Sequence, residues 1–184
     1  MSELTVHTTE TAPEASRPLL QSIETNNGFL PNLMGVLAES PATLEAYTTL
    51  SKIFDKSDFS AIDRQVVLLT INRLNACHYC MAAHSTIAGR AGMNAETLQA
   101  LRSGDALPDK RQNALAGFTA SVVEKRGWVG EADIAAFLEA GFSKANVLEV
   151  ILGASLKTIS NYVNHIAETP VDPAFEAQTW SKAA

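Results

Sequence analysis

Two cysteines and a histidine are the residues of this sequence best placed to do chemistry together. Cys77, Cys80 and His84 lie close together in one stretch of the chain. On a helix, residues at i, i+3 and i+7 share one face, so the three side chains are predicted to form a stripe. Nucleophilic sulfur chemistry requires a thiolate beside a group that exchanges protons near neutral pH. The spacing therefore predicts a redox-active thiol pair with a neighbouring proton carrier.

A disulfide between these cysteines is predicted to be reversible. The Cβ atoms of residues i and i+3 on a regular helix lie about 5–6 Å apart, whereas a disulfide holds them about 3.8 Å apart. Closure therefore requires a local distortion, which the first turn of a helix can absorb. A strained bond of this kind is easily reduced again, which is typical of catalytic disulfides.

Metal binding and simple core packing are the alternatives for this cluster. A structural zinc site takes four ligands, and the cluster offers three, with His7 and His165 far away in the sequence. No metal and no other cofactor is therefore expected. A thioredoxin-like motif would follow a strand, whereas a helix precedes this one. A further alternative is that the two cysteines are ordinary core residues with no reaction to perform. This interpretation explains neither their spacing nor the aligned histidine.

The elements that must position the cluster are all predicted to be helices. Asn75 is predicted to cap the cysteine-bearing helix, which places Cys77 in its first turn, near the positive end of the helix dipole. No stretch alternates apolar and polar residues as a strand does, so the fold class is all-α. Cap, proline and glycine signals delimit helices over about 41–54, 60–74, 76–90, 94–102, 108–126, 131–140 and 143–168, with 28–39 as a short helix or a wrapped arm.

The length of 184 residues is sufficient for one domain with a hydrophobic core. We expect a single domain over 1–184, with an N-terminal extension (1–27), a core that carries the cysteines (about 40–105) and a second half (about 108–170). Phe59-Ser60 resembles Phe142-Ser143, and the cysteine pair falls opposite Asn161 and Asn164. A duplicated helical hairpin would explain both matches, with chance similarity between two Ala/Leu-rich helices as the alternative.

Charge and hydropathy exclude several classes of protein. The net charge of −6 argues against binding to nucleic acid, which requires basic patches. The longest apolar stretch, Val66 to Ile71, is too short to cross a bilayer, and the first fifteen residues show no signal-peptide pattern. We therefore expect a cytoplasmic protein, in a compartment where thiols stay reduced and a structural disulfide is not expected.

The segment from Asn75 to His84 resembles the active-site motif of the carboxymuconolactone decarboxylase-like superfamily, in its alkyl hydroperoxidase D branch. The resemblance extends to the stretches 28–33, 161–165 and 169–172. It implies an all-helical fold, a trimer, hexamer or other homo-oligomer, and a thiol-dependent peroxidase. Such an enzyme reduces a hydroperoxide and is regenerated by a dithiol or lipoyl-type reductant. By the same resemblance Cys80 is the peroxidatic sulfur, Cys77 the resolving one and His84 part of the proton relay.

Two positions depart from the family pattern. Gln65 stands where the family has a glutamate of the relay, and Tyr79 stands where the best-studied branch has a histidine. An amide cannot accept a proton but can hydrogen-bond to His84 and orient it, so Gln65 and Tyr79 are both candidates for a relay or orienting role. Glu149, which matches Gln65 in the internal similarity, is a candidate replacement carboxylate, with an ordinary helix charge as the alternative.

The two cysteines present conflicting indications of which one attacks. The helix dipole favours the lower pKa at Cys77, whereas the resemblance assigns attack on peroxide to Cys80. Because His84 is closer to Cys80 and a nearby base can outweigh the dipole, we assign attack to Cys80. Other functions on the same fold stay open: a slow redox-sensing or protein-disulfide module, and a non-redox decarboxylase or lactone enzyme, whose branch generally lacks the cysteine pair.

Overall fold

Helices make up the framework of the computed structural model, which describes residues 4–181. No β-strand occurs in this range, which confirms the predicted all-α class. The α-helices are α1 (Arg17–Asn27), α2 (Asn32–Leu37), α3 (Pro41–Phe54), α4 (Ala61–Leu74), α5 (His78–Arg90), α6 (Ala95–Ser103), α7 (Lys110–Glu124), α8 (Glu131–Glu139) and α9 (Lys144–Ala167), with short 3-10 helices at Glu14–Ser16 and Pro173–Gln178.

Side-chain caps set most helix starts where the sequence predicted them. Ser40, Ser60 and Asn94 accept hydrogen bonds from the backbone N–H three residues ahead, at the starts of α3, α4 and α6. Ser143 and Asn146 form a reciprocal capping box at the start of α9. Each of these bonds satisfies one of the N–H groups that a helix leaves without a partner in its first turn.

The N-terminal region, which was predicted only as an extension (1–27), contains a helix that packs on the core. Arg17–Asn27 forms α1, which ends at Gly28 with a φ of +77°. Leu20 on α1 is fully buried in the core. The proline near its start and the glycine at its end are ordinary helix signals, and they delimit a helix that was not among those predicted from the sequence.

Helix α9 crosses the molecule and packs on α3 and α4. Gly153 makes this approach possible, because a Cβ atom there would lie 2.9 Å from Val67 Cγ1 and 3.2 Å from the Phe54 ring. The close packing brings the next two turns of α9 against the start of α5. The site described below is built at this contact.

Candidate active site

The cysteine motif lies at the junction of α4 and α5. Asn75 ends α4, and Ala76 adopts a left-handed conformation with a φ of +53°. Cys77 is then the N-cap of α5, and its sulfur accepts a hydrogen bond from the Cys80 backbone N–H at 3.4 Å. The predicted cap at Asn75 is therefore wrong, because the chain reverses direction at Ala76 before α5 begins at His78.

This geometry gives the two sulfurs different surroundings. Both cysteines are free thiols with less than 2 % of their surface exposed. Cys80 lines a cavity that opens to the surface, whereas Cys77 does not. Because a capping side chain bends back toward residue i+3, Cys77 already points toward Cys80. Closing a disulfide from this position requires less distortion than from within a regular helix.

Helix α9 supplies a polar stripe that faces both sulfurs. Lys157, Ser160, Asn161 and Asn164 are buried and share one helix face, at i, i+3, i+4 and i+7. Asn164 Nδ2 lies 3.2 Å from Cys80 Sγ and 3.9 Å from Cys77 Sγ. Ser160 Oγ lies 3.9 Å from Cys80 Sγ. The internal similarity had matched Asn161 and Asn164 with the cysteines, and the structure brings Asn164 into contact with them.

A chain of amides fixes the motif against α9. Asn75 Nδ2 donates to Asn161 Oδ1 at 2.9 Å, and Asn161 Nδ2 donates to Asn72 Oδ1 at 3.0 Å. Asn72 Nδ2 in turn donates to the Cys80 carbonyl at 3.2 Å. The turn between α4 and α5 is thus bonded on both sides, so the sulfurs are held in one arrangement.

A second chain of side chains runs from Lys157 to α4. Lys157 Nζ lies 3.0 Å from His84 Nε2, and His84 Nδ1 lies 2.9 Å from Gln65 Oε1. An amide oxygen only accepts, so Nδ1 carries the proton and Nε2 accepts from the ammonium group. Gln65 therefore binds one ring nitrogen of His84. The other ring nitrogen is bonded to Lys157, a residue that the sequence motif did not indicate.

The electrostatics of the pair favour a thiolate at Cys80. Burial alone would raise the pKa of Cys80, but the hydrogen bond from the Cys77 thiol and the positive charge of Lys157 outweigh it. Together with the bonds from Asn164 and Ser160 they lower the pKa of Cys80 to about 5. The hydrogen bond to Cys80 and burial raise the pKa of the Cys77 thiol, which stays protonated.

The charge that stabilises this thiolate comes from a buried lysine. Lys157 is 0 % exposed. Burial would lower the pKa of its ammonium group, but the negative charge of Cys80 raises it on balance. Burial and the neighbouring Lys157 charge lower the pKa of His84 well below its usual value, so the ring is neutral. Lys157 and Cys80 thus form an ion pair, and His84 serves as a neutral acceptor beside it.

Tyr79 has a structural partner outside the relay. Its hydroxyl donates to Asp172 Oδ2 at 2.5 Å and accepts from the Leu33 N–H at 3.3 Å. Asp172 also accepts from the Asn32 N–H at 3.0 Å. The tyrosine therefore ties α5 to the segments 28–33 and 169–172, which are the flanking stretches of the predicted resemblance. Because its hydroxyl is bonded to this carboxylate, the structure favours an orienting role for Tyr79 over a relay role.

The cavity in front of Cys80 has a volume of about 580 Å³, within the range of small-molecule sites. Cys80, His84 and Lys157 lie on its wall, together with Tyr47 and Tyr79. The rest of the lining combines apolar residues, among them Leu19, Ile23, Phe29, Met34, Ile87 and Phe175, with polar and basic ones, among them Asn26, Asn27, Lys52 and Arg90. The Cys80 sulfur therefore faces a space large enough for a small molecule with a partly apolar body.

The remaining candidate residues lie away from the sulfurs. Glu149 accepts from the Asp58 N–H at 2.9 Å and from Asn146 Nδ2 at 2.7 Å, so it does not replace the family glutamate beside His84. His7 pairs with Glu39.

Within residues 4–181 no three His, Cys, Asp or Glu side chains are grouped to hold a metal ion. In the same range no helix is long and apolar enough to span a bilayer.

A known protein family matches the part of the chain that carries the cysteine motif. The model of the carboxymuconolactone decarboxylase family matches residues 41–120, which include the cysteine motif. No curated protein sequence shows a significant match to the chain.

Solved structures share the fold over nearly the whole chain. A peroxidase-related protein from Ralstonia eutropha JMP134, described as an alkylhydroperoxidase AhpD core, is 20 % identical with a TM-score of 0.83, over 95 % of this chain and 94 % of that one. A peroxidase-related protein from Silicibacter sp. TM1040 is 18 % identical with a TM-score of 0.83, over 96 % and 93 %.

A third similar structure is that of the debrominase Bmp8, solved as a cysteine-to-alanine variant with 2,3,4-tribromopyrrole. It is 18 % identical with a TM-score of 0.79, over 97 % of this chain and 96 % of that one. The segment that carries the cysteine motif thus matches the carboxymuconolactone decarboxylase family, and nearly the whole chain has the fold of the alkylhydroperoxidase AhpD core, as the resemblance of the motif implied.

Proposed function

We propose that the protein is a thiol-dependent peroxidase in which Cys80 attacks a hydroperoxide and Cys77 resolves the product. One observation carries the proposal: the Cys80 sulfur faces the cavity and contacts Asn164, while Cys77 caps the same helix behind it. A stabilised thiolate open to substrate, with a second thiol held next to it, is what a two-cysteine mechanism requires.

The first step oxidises Cys80. Its thiolate attacks the terminal oxygen of the hydroperoxide, a sulfur–oxygen bond forms, and the oxygen–oxygen bond breaks. The alkoxide that leaves takes a proton from the Lys157 ammonium group and departs as an alcohol. Cys80 is left as a sulfenic acid, oxidised by two electrons.

The second step closes the disulfide. The Cys77 thiol attacks the Cys80 sulfur, the sulfur–sulfur bond forms, and the sulfenic hydroxyl leaves as water with the thiol proton. An external dithiol or lipoyl-type reductant then exchanges with the disulfide and restores both thiols. No resident metal or organic cofactor enters this scheme.

His84 and Gln65 act through Lys157 in this scheme. Gln65 holds the imidazole in the tautomer that accepts from Lys157, and His84 in turn fixes the ammonium group near the sulfur. Both are positioning residues, and Lys157 is the group that contacts the reacting atoms. Peroxide reduction then does not need the family glutamate, because the lysine supplies the charge that stabilises the thiolate.

Consumption of cumene hydroperoxide with dithiothreitol tests the proposal. We expect turnover by the native protein and none by Cys80→Ser. The native protein should lose about two daltons after one equivalent of peroxide, because two hydrogens leave when the disulfide closes. Cys77→Ser should gain one oxygen at Cys80 and stop there. Turnover by Cys80→Ser, or an oxidised native protein without a disulfide, would contradict the two-cysteine mechanism.

Reductive dehalogenation is a second candidate, favoured by the likeness to a debrominase structure and by the apolar cavity in front of Cys80. In this reaction the two thiols supply two electrons. The carbon–bromine bond becomes a carbon–hydrogen bond, a disulfide forms, and bromide and a proton leave. Bromide release from 2,3,4-tribromopyrrole, with cumene hydroperoxide as the competing substrate, separates the two candidates.

A further inference from the structure

The charges around the cavity differ from those of the whole protein. The chain carries 20 acidic and 14 basic residues. Among the described residues that line the cavity, by contrast, none is Asp or Glu, and three carry a positive charge: Lys52, Arg90 and Lys157. A site for neutral molecules alone would not need this bias. The bias indicates a negatively charged ligand.

Lys52 and Arg90 are the cations available to such a ligand. Both are exposed, and within residues 4–181 neither forms an ion pair or a side-chain hydrogen bond. Lys157 differs from them, because it is buried and paired with Cys80 and His84. The two exposed cations will be called the rim cations.

Helix dipoles do not fully account for the rim cations. Each lies in the last turn of its helix, Lys52 on α3 and Arg90 on α5, where a positive charge is favourable. That preference explains a cation at either helix end. It does not explain why both helix ends border the same cavity, or why acidic residues are absent from the described part of its lining.

The same cavity has a group of apolar lining residues besides the rim cations and the sulfur. Ile23, Met34 and Ile87 lie on its wall with the Phe29 and Phe175 rings, which contact each other edge to face at 5.7 Å. An alkyl or aryl body would gain free energy by leaving water here. The ligand indicated by the lining thus has an apolar body and a separate anionic group.

We infer that the cavity selects amphipathic hydroperoxides that carry a carboxylate, with the peroxide group at Cys80 and the carboxylate between Lys52 and Arg90. The inference rests on the proposed peroxidase function and names its substrate class. Chemically, such compounds include oxidised fatty acids and other peroxidised organic acids. The anionic group contributes binding at the rim, while the reaction at Cys80 is the same as for a neutral hydroperoxide.

A matched pair of substrates tests this inference: 8-hydroperoxyoctanoate and its methyl ester, which differ in the charge of one end. The kcat/KM is measured for both with the neutral reductant dithiothreitol, so that the rim cations cannot act through the reductant. The variants are Lys52→Gln, Arg90→Gln and the double reversal Lys52→Glu/Arg90→Glu. Lys56→Gln is the control, because Lys56 is exposed and close to Lys52 but does not line the cavity.

We expect the native protein to prefer the acid over the ester. Each single substitution should lower the acid-to-ester ratio of kcat/KM by about two- to five-fold, the range of an exposed ion pair. The double reversal should invert the preference, and the control should leave both values unchanged. Added salt should reduce the native preference, because it screens exposed charges. The single variants keep the test valid if the double reversal does not fold.

Failure of the inference and failure of the proposed function give different results. Equal kcat/KM values for acid and ester in the native protein, or a ratio that the rim substitutions do not change, would overturn the inference and leave the peroxidase standing. If neither compound is consumed, the proposed function fails. In that case the affinities for octanoate and methyl octanoate, measured by calorimetry, test the carboxylate site alone. Tighter binding of octanoate that is lost in the Lys52 and Arg90 variants supports the site, and equal affinity for the two compounds overturns it.

Discussion

Lys157 Nζ lies 3.0 Å from His84 Nε2, so one ring nitrogen of the histidine is bonded to a buried lysine. The other ring nitrogen is bonded to Gln65. Both ring nitrogens are therefore hydrogen-bonded. In the proposed mechanism the imidazole consequently acts on the sulfur through the lysine, whose ammonium group is the proton donor.

Removing the lysine charge should raise the pKa of Cys80. In the native protein the thiol titrates near pH 5, so the rate of alkylation by iodoacetamide should be nearly constant above about pH 6. In Lys157→Met the thiolate loses its counter-charge, and alkylation should fall as the pH is lowered from 9. At pH 6 we expect at least a ten-fold loss of rate, which requires the pKa to rise by about two units from its native value of about 5.

Lys144→Met is the matched control for this prediction, because Lys144 is exposed at the start of the same helix. Its alkylation profile should follow that of the native protein. Circular dichroism and thermal melts check that both variants fold. A Lys157→Met profile with the native midpoint would show that the hydrogen bonds from Asn164 and Cys77 are sufficient to hold the thiolate.

Gln65→Glu should not improve the enzyme. The sequence left open whether peroxide reduction needs a carboxylate at this position or whether the amide already orients His84. The 2.9 Å bond from His84 Nδ1 to Gln65 Oε1 favours the second possibility. A glutamate would place a negative charge near Lys157 that competes with Cys80 for the ammonium group. We expect an unchanged or lower peroxidase rate and a higher pKa of Cys80.

Glu149→Gln serves as the comparison, since Glu149 is bonded to the Asp58 N–H and to Asn146. Its peroxidase rate should equal that of the native protein. A faster Gln65→Glu enzyme would show that the family carboxylate is still needed, and general acid–base help of about 10²-fold or more would make the gain easy to measure.

Local signals predicted the helices and the cysteine motif, but not the residues that complete the site. Caps such as Ser40 and Ser60 were readable because they act within four residues. The left-handed turn at Ala76 was not, because a non-glycine residue rarely adopts a positive φ. As a result, the start of α5 was placed two residues too early.

Lys157 was missed because a single lysine on a helix is ordinarily solvated. One signal was available in hindsight: Lys157, Asn161 and Asn164 recur at helical spacing among apolar residues of α9, a pattern that marks a polar stripe facing inward. Their pairing with Cys80 depends on the tertiary contact of α9 with α5, and only the internal similarity pointed to it.

Tyr79→Phe should affect stability rather than catalysis. The Tyr79 hydroxyl and the Asp172 carboxylate are both buried and lie 2.5 Å apart. Removing the hydroxyl leaves the carboxylate with fewer partners, which costs about 1–3 kcal/mol of unfolding free energy. For a chain of this length a loss of 1 kcal/mol lowers the Tm by about 2–4 °C. The alkylation profile of Cys80 should stay unchanged.

A double-mutant cycle with Asp172→Asn measures the coupling between the two groups. The two substitutions together should cost less than the sum of the single effects, because each removes the same bond. If Tyr79→Phe lowers the peroxidase rate while the Tm stays constant, the tyrosine does take part in the relay, contrary to its bonds in the structure.

The predicted self-association needs an exposed apolar surface. The apolar segment from Phe29 to Leu37 does not supply it, because it packs within the same chain, where Leu33 and Leu37 are buried. The outer face of α9 exposes apolar side chains: Leu148, Ile151, Tyr162 and Ile166 are 45–68 % exposed, at spacings that align them along one side of the helix.

Ile166→Glu should weaken self-association if this face of α9 joins copies of the chain. The native protein should be a homo-oligomer by light scattering at micromolar concentration, and a charge buried at an interface of this kind would favour dissociation. Ile53→Glu, at a residue 47 % exposed on α3, is the matched control and should keep the native mass. A native protein that is monomeric would refute the prediction, and dissociation of the control alone would place the interface on α3.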